Sequence, residues 1–150
     1  MDILREEQIK VAATYANQAE VFTEIAAIAV AANIATQPME VIASLKAREQ
    51  EGTTGMMDGF AIPHGKSSAI NRPGIIIISL KEGIEWQSLD GQAITFVVAL
   101  LIPAGEAGTT HIKLLSKVAR MLMQEPIKEA LKLATTAKEI HQIINSNLGA

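Results

Sequence analysis

Gly74-Ile75-Ile76-Ile77-Ile78-Ser79-Leu80-Lys81 is the stretch that decides the fold. Four consecutive isoleucines follow neither a helical nor an alternating period. A short β-branched run of this kind reads as a central strand buried on both faces. A second run, containing Phe96-Val97-Val98-Ala99-Leu100-Leu101-Ile102, lies in a strand predicted over 93–102. The loop between them carries the single tryptophan, Trp86, and ends in the turn dipeptide Asp90-Gly91. Strands apolar on both faces require apolar helices above and below them.

Those helices are predicted on either side. Upstream, a short strand is expected over 8–13, and Asn17 then reads as an N-cap, with Glu20 reaching back as in a capping box. Val21, Ile25, Ile28 and Ala32 follow at helical spacing, and Asn33 is a natural stop. A second helix opens at Pro38, carries Met39, Ile42 and Leu45 on one face, and ends near Gly52, which suits the left-handed cap conformation. Residues 53–65, with three glycines and a proline, read as an irregular functional loop. Downstream, Pro103-Ala104-Gly105 ends the second strand. His111, Leu114, Leu115, Val118 and Leu122 mark the apolar face of a third helix. Pro126 starts a short fourth helix, and Thr135 or Thr136 caps a fifth bearing Ile140, Ile143 and Ile144. The expectation is a single α/β domain over 1–150, a three-layer α/β/α sandwich with a mixed β-sheet flanked by helices on both faces.

Composition narrows the function. None of the 150 residues is cysteine, which excludes disulfides, a thiolate nucleophile and Cys-based metal sites, and fits a reducing compartment. A net charge of −3 gives no footprint for a nucleic-acid backbone, and 3% aromatics give no base-stacking platform. The longest apolar stretch, 25–32, has eight residues, against roughly 20 for a membrane span. The first residues lack the basic and apolar regions of a signal peptide, so a cytoplasmic domain is expected.

Among the three histidines, His141 on the last helix reads as a surface residue. His64 stands in Ala61-Ile62-Pro63-His64-Gly65. Pro63 stiffens the chain and ends sheet pairing, while Gly65 leaves space beside the imidazole for another molecule. Such a setting suits a neutral, nucleophilic imidazole, and equally a turn histidine of no consequence. His111 opens a helix beyond the end of a strand, where ligands bind in α/β sheets. The helix N-terminus, with the Thr109 and Thr110 hydroxyls, would suit an anion and favour a neutral imidazole; a capping or semi-buried histidine is the alternative. Arg48 complements the C-terminal dipole of the second helix, or forms a forked contact with phosphate oxygens. No Gly-x-x-x-x-Gly-Lys-Ser/Thr loop points to direct nucleotide use, and nothing completes a zinc site around His64 and His111.

Together these residues carry a resemblance. Arg48-Glu49-Gln50-Glu51-Gly52-Thr53-Thr54-Gly55 and Asp58-Gly59-Phe60-Ala61-Ile62-Pro63-His64-Gly65, with Trp86, Leu89-Asp90-Gly91 and His111-Ile112-x-x-Leu115, resemble the fructose/mannitol-type IIA component (PTS EIIA type 2) of the bacterial phosphoenolpyruvate:sugar phosphotransferase system. The resemblance covers nearly the whole chain. It implies that His64 accepts a phosphoryl group on Nε2 from the phosphocarrier protein HPr and passes it to a cysteine of a IIB component. That step drives sugar uptake through a IIC permease, with a fructose-type sugar expected. It also implies that His111 stabilises the phosphoryl group and Arg48 binds it, with Thr54 and Gly65 as lesser candidates. No metal or other cofactor is expected, because the donor is already a phosphoprotein. Met56, Met57 and Phe60 are candidates for an adaptable apolar rim that docks partners, and net acidity would steer a basic-faced phosphocarrier. Nitrogen-type regulatory IIA paralogues share the motif, so phosphorylation-dependent protein binding is the alternative function.

Overall fold

The computed structural model describes residues 3–106 and 108–148. The two apolar runs form its centre as β4 (Gly74–Ile84) and β5 (Ile94–Pro103), antiparallel neighbours that pair Ile77 with Val98 and Ile75 with Leu100. On one side β1 (Ile9–Ala13) lies parallel to β4. On the other, β2 (Phe60–Ala61) and β3 (His64–Ser67) both run parallel to β5. The result is a five-stranded mixed sheet.

Alternation along the strands splits the core in two. Ile76, Ile78, Val97, Ala99 and Leu101 face α1 (Gln18–Ala31) and α2 (Pro38–Glu51). Ile75, Ile77, Phe96, Val98 and Leu100 face α3 (Thr110–Met121), α4 (Glu125–Leu133) and α5 (Ala137–Asn147). This is the expected three-layer arrangement. All four isoleucines of the 75–78 run are fully buried, and each contributes about 1.5–3 kcal/mol relative to exposure.

Local signals behave largely as read. Asn17 Oδ1 accepts the Glu20 N–H at 3.0 Å, but Glu20 reaches back to the Ala16 N–H, one residue before the cap. Asn33 takes φ 61°, and Thr136 caps α5. Two details differ. Val41 and Leu45 form the buried stripe of α2, with Ile42 half-buried, while Met39 in the first turn is 74% exposed. Gly52 ends α2 at φ 155° and ψ 150°, an extended glycine conformation instead of the left-handed helical one.

The larger correction concerns 53–65. This segment is pinned to the sheet rim: Gly55 bridges to both Ala61 and Ser88, and the Met56 N–H donates to the Phe60 carbonyl at 2.7 Å. Pro63 does not end pairing. Lacking an N–H, it separates β2 from β3, yet its carbonyl still accepts from Leu100 at 2.9 Å. His64 therefore starts a strand held on both sides, by β5 and by α2. No helix is long and apolar enough to cross a membrane among the described residues.

Candidate functional site

The two residues that matter most approach from different elements. α2 delivers Arg48 in its last turn, and β3 delivers His64 at its first position. The Arg48 Nε donates to His64 Nε2 at 2.9 Å, and its Nη1 donates to the Gly52 carbonyl at 2.8 Å. The second bond ties the guanidinium to the end of its own helix.

That contact fixes the His64 tautomer. A guanidinium nitrogen only donates, so Nε2 must be the acceptor and carry a lone pair. The proton then sits on Nδ1, which donates to the Ile62 carbonyl at 2.9 Å. Burial pushes the His64 pKa below the ordinary imidazole value. The Arg48 and His111 neighbourhood pushes the same way, and the Ile62 carbonyl and Glu49 oppose it. The ring is thus neutral, buried and nucleophilic at one defined atom.

His111, one residue into α3, brings its ring to 4.8 Å from that of His64, centroid to centroid. Its Nε2 is buried and, among the described residues, has no hydrogen-bond partner. Burial lowers its pKa first, with Lys66 and Arg48 adding to the effect. A pocket of about 210 Å³ opens between these groups. Ser44, Ala47, Arg48 and Glu51 of α2 form one wall, and His64, Gly65, Lys66 and His111 the other. An anion in this space would meet Arg48, Lys66 and two imidazoles.

The other sequence candidates lie elsewhere. Thr54 is 4% exposed and its hydroxyl donates to Glu49 Oε1, outside the pocket lining. Gly65 does border the pocket, but its missing side chain faces Ser44 of α2, with Ser44 Cβ 3.2 Å from where a Cβ would stand. Its role in the fold is to admit a helix, not a partner protein. Phe60 is 1% exposed and stacks near Phe96 in the core, so it cannot serve as an exposed docking rim. Half-buried Met56 and exposed Met57 line a different groove of about 310 Å³ with Leu122, Met123 and Lys128. Its α3 residue, Ala119, stands about 12 Å along the helix from His111, at 1.5 Å per residue, while Ile62 borders the groove from the sheet side. His141 is half-buried, not a free surface residue, and its Nε2 hydrogen-bonds the Leu4 carbonyl at 3.0 Å. Thr109 makes no side-chain cap of α3; the Thr110 side chain lies outside the described residues.

Sequence reasoning missed Lys66, Ser44 and Glu49. Lys66 was legible in principle. Two residues after His64 on one strand, it shares the same face. The contribution of Ser44 was not, since it depends on a close helix–strand approach across Gly65.

Comparison with known proteins is consistent across three measures. The profile of the phosphoenolpyruvate-dependent sugar phosphotransferase system EIIA 2 family matches residues 2–147. The 2-O-alpha-mannosyl-D-glycerate-specific EIIABC component of Escherichia coli is 36% identical over 68% of the chain. The fructose-specific EIIABC component of Bacillus subtilis is 36% identical over 67% of it. In each case the match spans 16% of the relative's length. A nitrogen regulatory protein of E. coli is 32% identical over 87% of the chain and 77% of its own length. Among solved structures, nitrogen regulatory protein IIA-Ntr of Neisseria meningitidis superposes with a TM-score of 0.87 at 27% identity, covering 95% of this chain and 96% of that one. The E. coli complex of enzyme IIAMTL with phosphorylated enzyme IIBMTL shares the fold, with a TM-score of 0.79 at 18% identity, covering 95% and 97%.

Proposed function

The chain belongs to the EIIA 2 family of the phosphoenolpyruvate-dependent sugar phosphotransferase system, and from that membership we propose that His64 is its phosphoryl carrier. The observation that carries this reading is the Nε2 lone pair of His64, fixed by tautomer and facing a cationic guanidinium at 2.9 Å.

In the proposed cycle a phosphohistidine of HPr presents its phosphorus in the pocket. Arg48 swings from Nε2 onto the phosphoryl oxygens, and the Nε2 lone pair forms the new P–N bond. The donor's P–N bond breaks and its electron pair returns to the donor imidazole. In the second half, a cysteine thiolate of a IIB component attacks the same phosphorus and the electron pair of the Nε2–P bond returns to His64. The transferring group keeps its negative charge on three oxygens, so the work of the site is positioning and electrostatic stabilisation. Arg48, Lys66 and His111 supply it, and Nδ1 keeps its proton throughout. The nearest functional class is a sugar-uptake relay of the fructose type, operating in the cytoplasm and feeding a IIC permease; the fructose-specific relative supports it.

Incubation with phosphoenolpyruvate, enzyme I and HPr tests the reading by mass spectrometry. The wild-type chain is expected to gain one phosphoryl group and His64→Ala none; labelling of His64→Ala would overturn the assignment. A second reading, phosphorylation-dependent regulation by protein binding, is favoured by the 87% coverage of the nitrogen regulatory relative. Onward transfer to a IIB cysteine separates the two: a sugar relay passes the group on, and a regulator retains it.

A further inference from the structure

Four hydrogen bonds join Glu49 to the His64 imidazole. Glu49 lies in the last turn of α2. Its carboxylate accepts the Thr54 N–H on Oε2 at 2.9 Å and the Thr54 hydroxyl on Oε1 at 2.6 Å. The Thr54 carbonyl accepts the Ile62 N–H at 3.0 Å. The Ile62 carbonyl in turn accepts from His64 Nδ1 at 2.9 Å. Thr54 and Ile62 are 4% and 3% exposed, so water does not compete at the middle of this chain. Neither Glu49 nor Thr54 lines the pocket that holds Arg48, Lys66 and His111.

We infer that Glu49 and Thr54 are positioning residues for phosphoryl transfer: their two-point clamp holds the Ile62 carbonyl against Nδ1 and so keeps Nε2 unprotonated and aimed into the pocket. The inference rests on the phosphoryl-carrier reading of His64.

The chemistry gives the clamp a reason. As Nε2 donates its pair to phosphorus, the ring becomes cationic and the Nδ1–H becomes a stronger donor. A carbonyl already fixed in line with that proton stabilises the transition state more than the resting ring. Without the clamp the 53–62 segment can shift and the carbonyl leaves Nδ1; Arg48 alone then holds the tautomer, and each time the guanidinium moves off Nε2 the imidazole populates the form protonated there. That tautomer has no lone pair at the attacking atom. A two-point contact to one threonine suits the task, because it fixes both the position and the rotation of the peptide that follows. Glu49 is well placed for it at the end of α2, where Arg48 one residue earlier holds the opposite nitrogen of the same ring. The helix terminus thus grips His64 from both of its nitrogens, directly at Nε2 and through Thr54 and Ile62 at Nδ1.

The test uses the full chain with Thr54→Val, which keeps shape and removes the hydroxyl, Glu49→Gln, and Thr54→Ser as the conservative control. Nitrogen-15 NMR of the imidazoles, without any donor, reads the His64 tautomer. Single-turnover transfer from phosphorylated HPr, over a range of HPr concentrations, reads the maximal rate and the half-saturating concentration. Wild type is expected to show the Nδ1–H tautomer. Thr54→Val and Glu49→Gln are expected to show mixed tautomers and a maximal rate lower by about tenfold or more. Their half-saturating concentration should move by less than about twofold, and Thr54→Ser should recover the wild-type signature. Slowed transfer with an unchanged His64 tautomer would overturn the inference, as would wild-type behaviour of both variants. If the wild-type chain accepts no phosphoryl group, the carrier reading fails, and the tautomer comparison alone then upholds or overturns the clamp.

Discussion

Arg48 Nε donates to His64 Nε2 at 2.9 Å, so the cation proposed to hold the phosphoryl oxygens covers the very lone pair proposed to attack phosphorus. The contact keeps the nucleophile neutral and orients it, and it has to break for reaction. Its partner bond, Nη1 to the Gly52 carbonyl at 2.8 Å, lets the guanidinium pivot without losing its anchor on α2.

Replacing Arg48 with lysine keeps the charge and removes the planar fork. An ammonium cannot hold Gly52 and reach two phosphoryl oxygens in one plane. Arg48→Lys is therefore expected to lower the transfer rate on the order of 100-fold, the usual cost of losing an aligned oxyanion donor. HPr affinity, measured by titration calorimetry, should change far less. Equal losses in rate and affinity would place Arg48 in docking instead.

Acid should act through the two imidazoles. Both His64 and His111 have pKa values lowered from 6.5, by burial first in each case. In the fold they stay neutral at pH values where the unfolded chain has begun to bind protons. Their contribution to stability is thus fully present above about 6.5 and is lost as pH falls through the lower folded values. Acceptance from phospho-HPr requires neutral Nε2, so its acid limb should lie below that of a free imidazole. Removing the Arg48 charge with Arg48→Gln should move the limb upward, because that charge is one of the lowering influences. A wild-type acid limb above 6.5 in a stopped-flow pH series would refute the assignment.

Gly65 offers a test of how the pocket is built. A Cβ there would overlap Ser44 Oγ and lie 3.2 Å from Ser44 Cβ and 3.4 Å from the Leu45 nitrogen. The Ser44 hydroxyl is itself held to the Val41 carbonyl at 2.7 Å, so it cannot turn away freely. Gly65→Ala should push α2 off β3 and separate Arg48 from His64. The expected cost is about 1–3 kcal/mol of stability by denaturant unfolding, together with reduced transfer. Adding Ser44→Ala should recover part of both, since it removes the overlapping oxygen.

What the sequence made legible follows from the range of each interaction. The strands of the 75–78 and 93–102 runs, the Asn17 cap and the Thr136 cap rest on neighbouring residues or on simple burial, and all appear where expected. The placement of 53–65 did not follow, because glycine and proline content reads as irregularity whether or not a sheet edge is there to bind it. His141 looked like a surface residue because its partner, the Leu4 carbonyl, is 137 positions away. Similarly, Met56 and Met57 stand near His64 in sequence, yet the chain turns at Asp58 and Gly59, both at positive φ, and carries them toward the far end of α3. Arg48, His64 and His111 converge on one pocket; Lys66 follows from the strand period it shares with His64, while the Ser44 wall emerges only from the packing of α2 against β3 across Gly65.

The same turn is fastened by a nearly buried ammonium. Lys128 of α4 has a side chain 9% exposed and pairs with Asp58, whose side chain is 39% exposed, and with Glu125 at 2.9 Å. Removing different partners should not cost the same. Asp58→Asn tolerates the φ of 60° at this position, because asparagine adopts the left-handed region readily. It leaves the enclosed lysine with Glu125 as its one counter-charge among the described residues. The expected loss is about 1–3 kcal/mol. Lys128→Met instead fills the space with an apolar chain of similar length, and its former partner Asp58 can turn to water. Its cost should therefore be smaller, as for other enclosed ion pairs replaced by apolar groups. Urea unfolding of the two variants in the same buffer decides the order. Should Lys128→Met prove the more damaging, the ion pair would be holding the 53–59 turn by direct attraction, and the enclosed charge would not be the dominant cost.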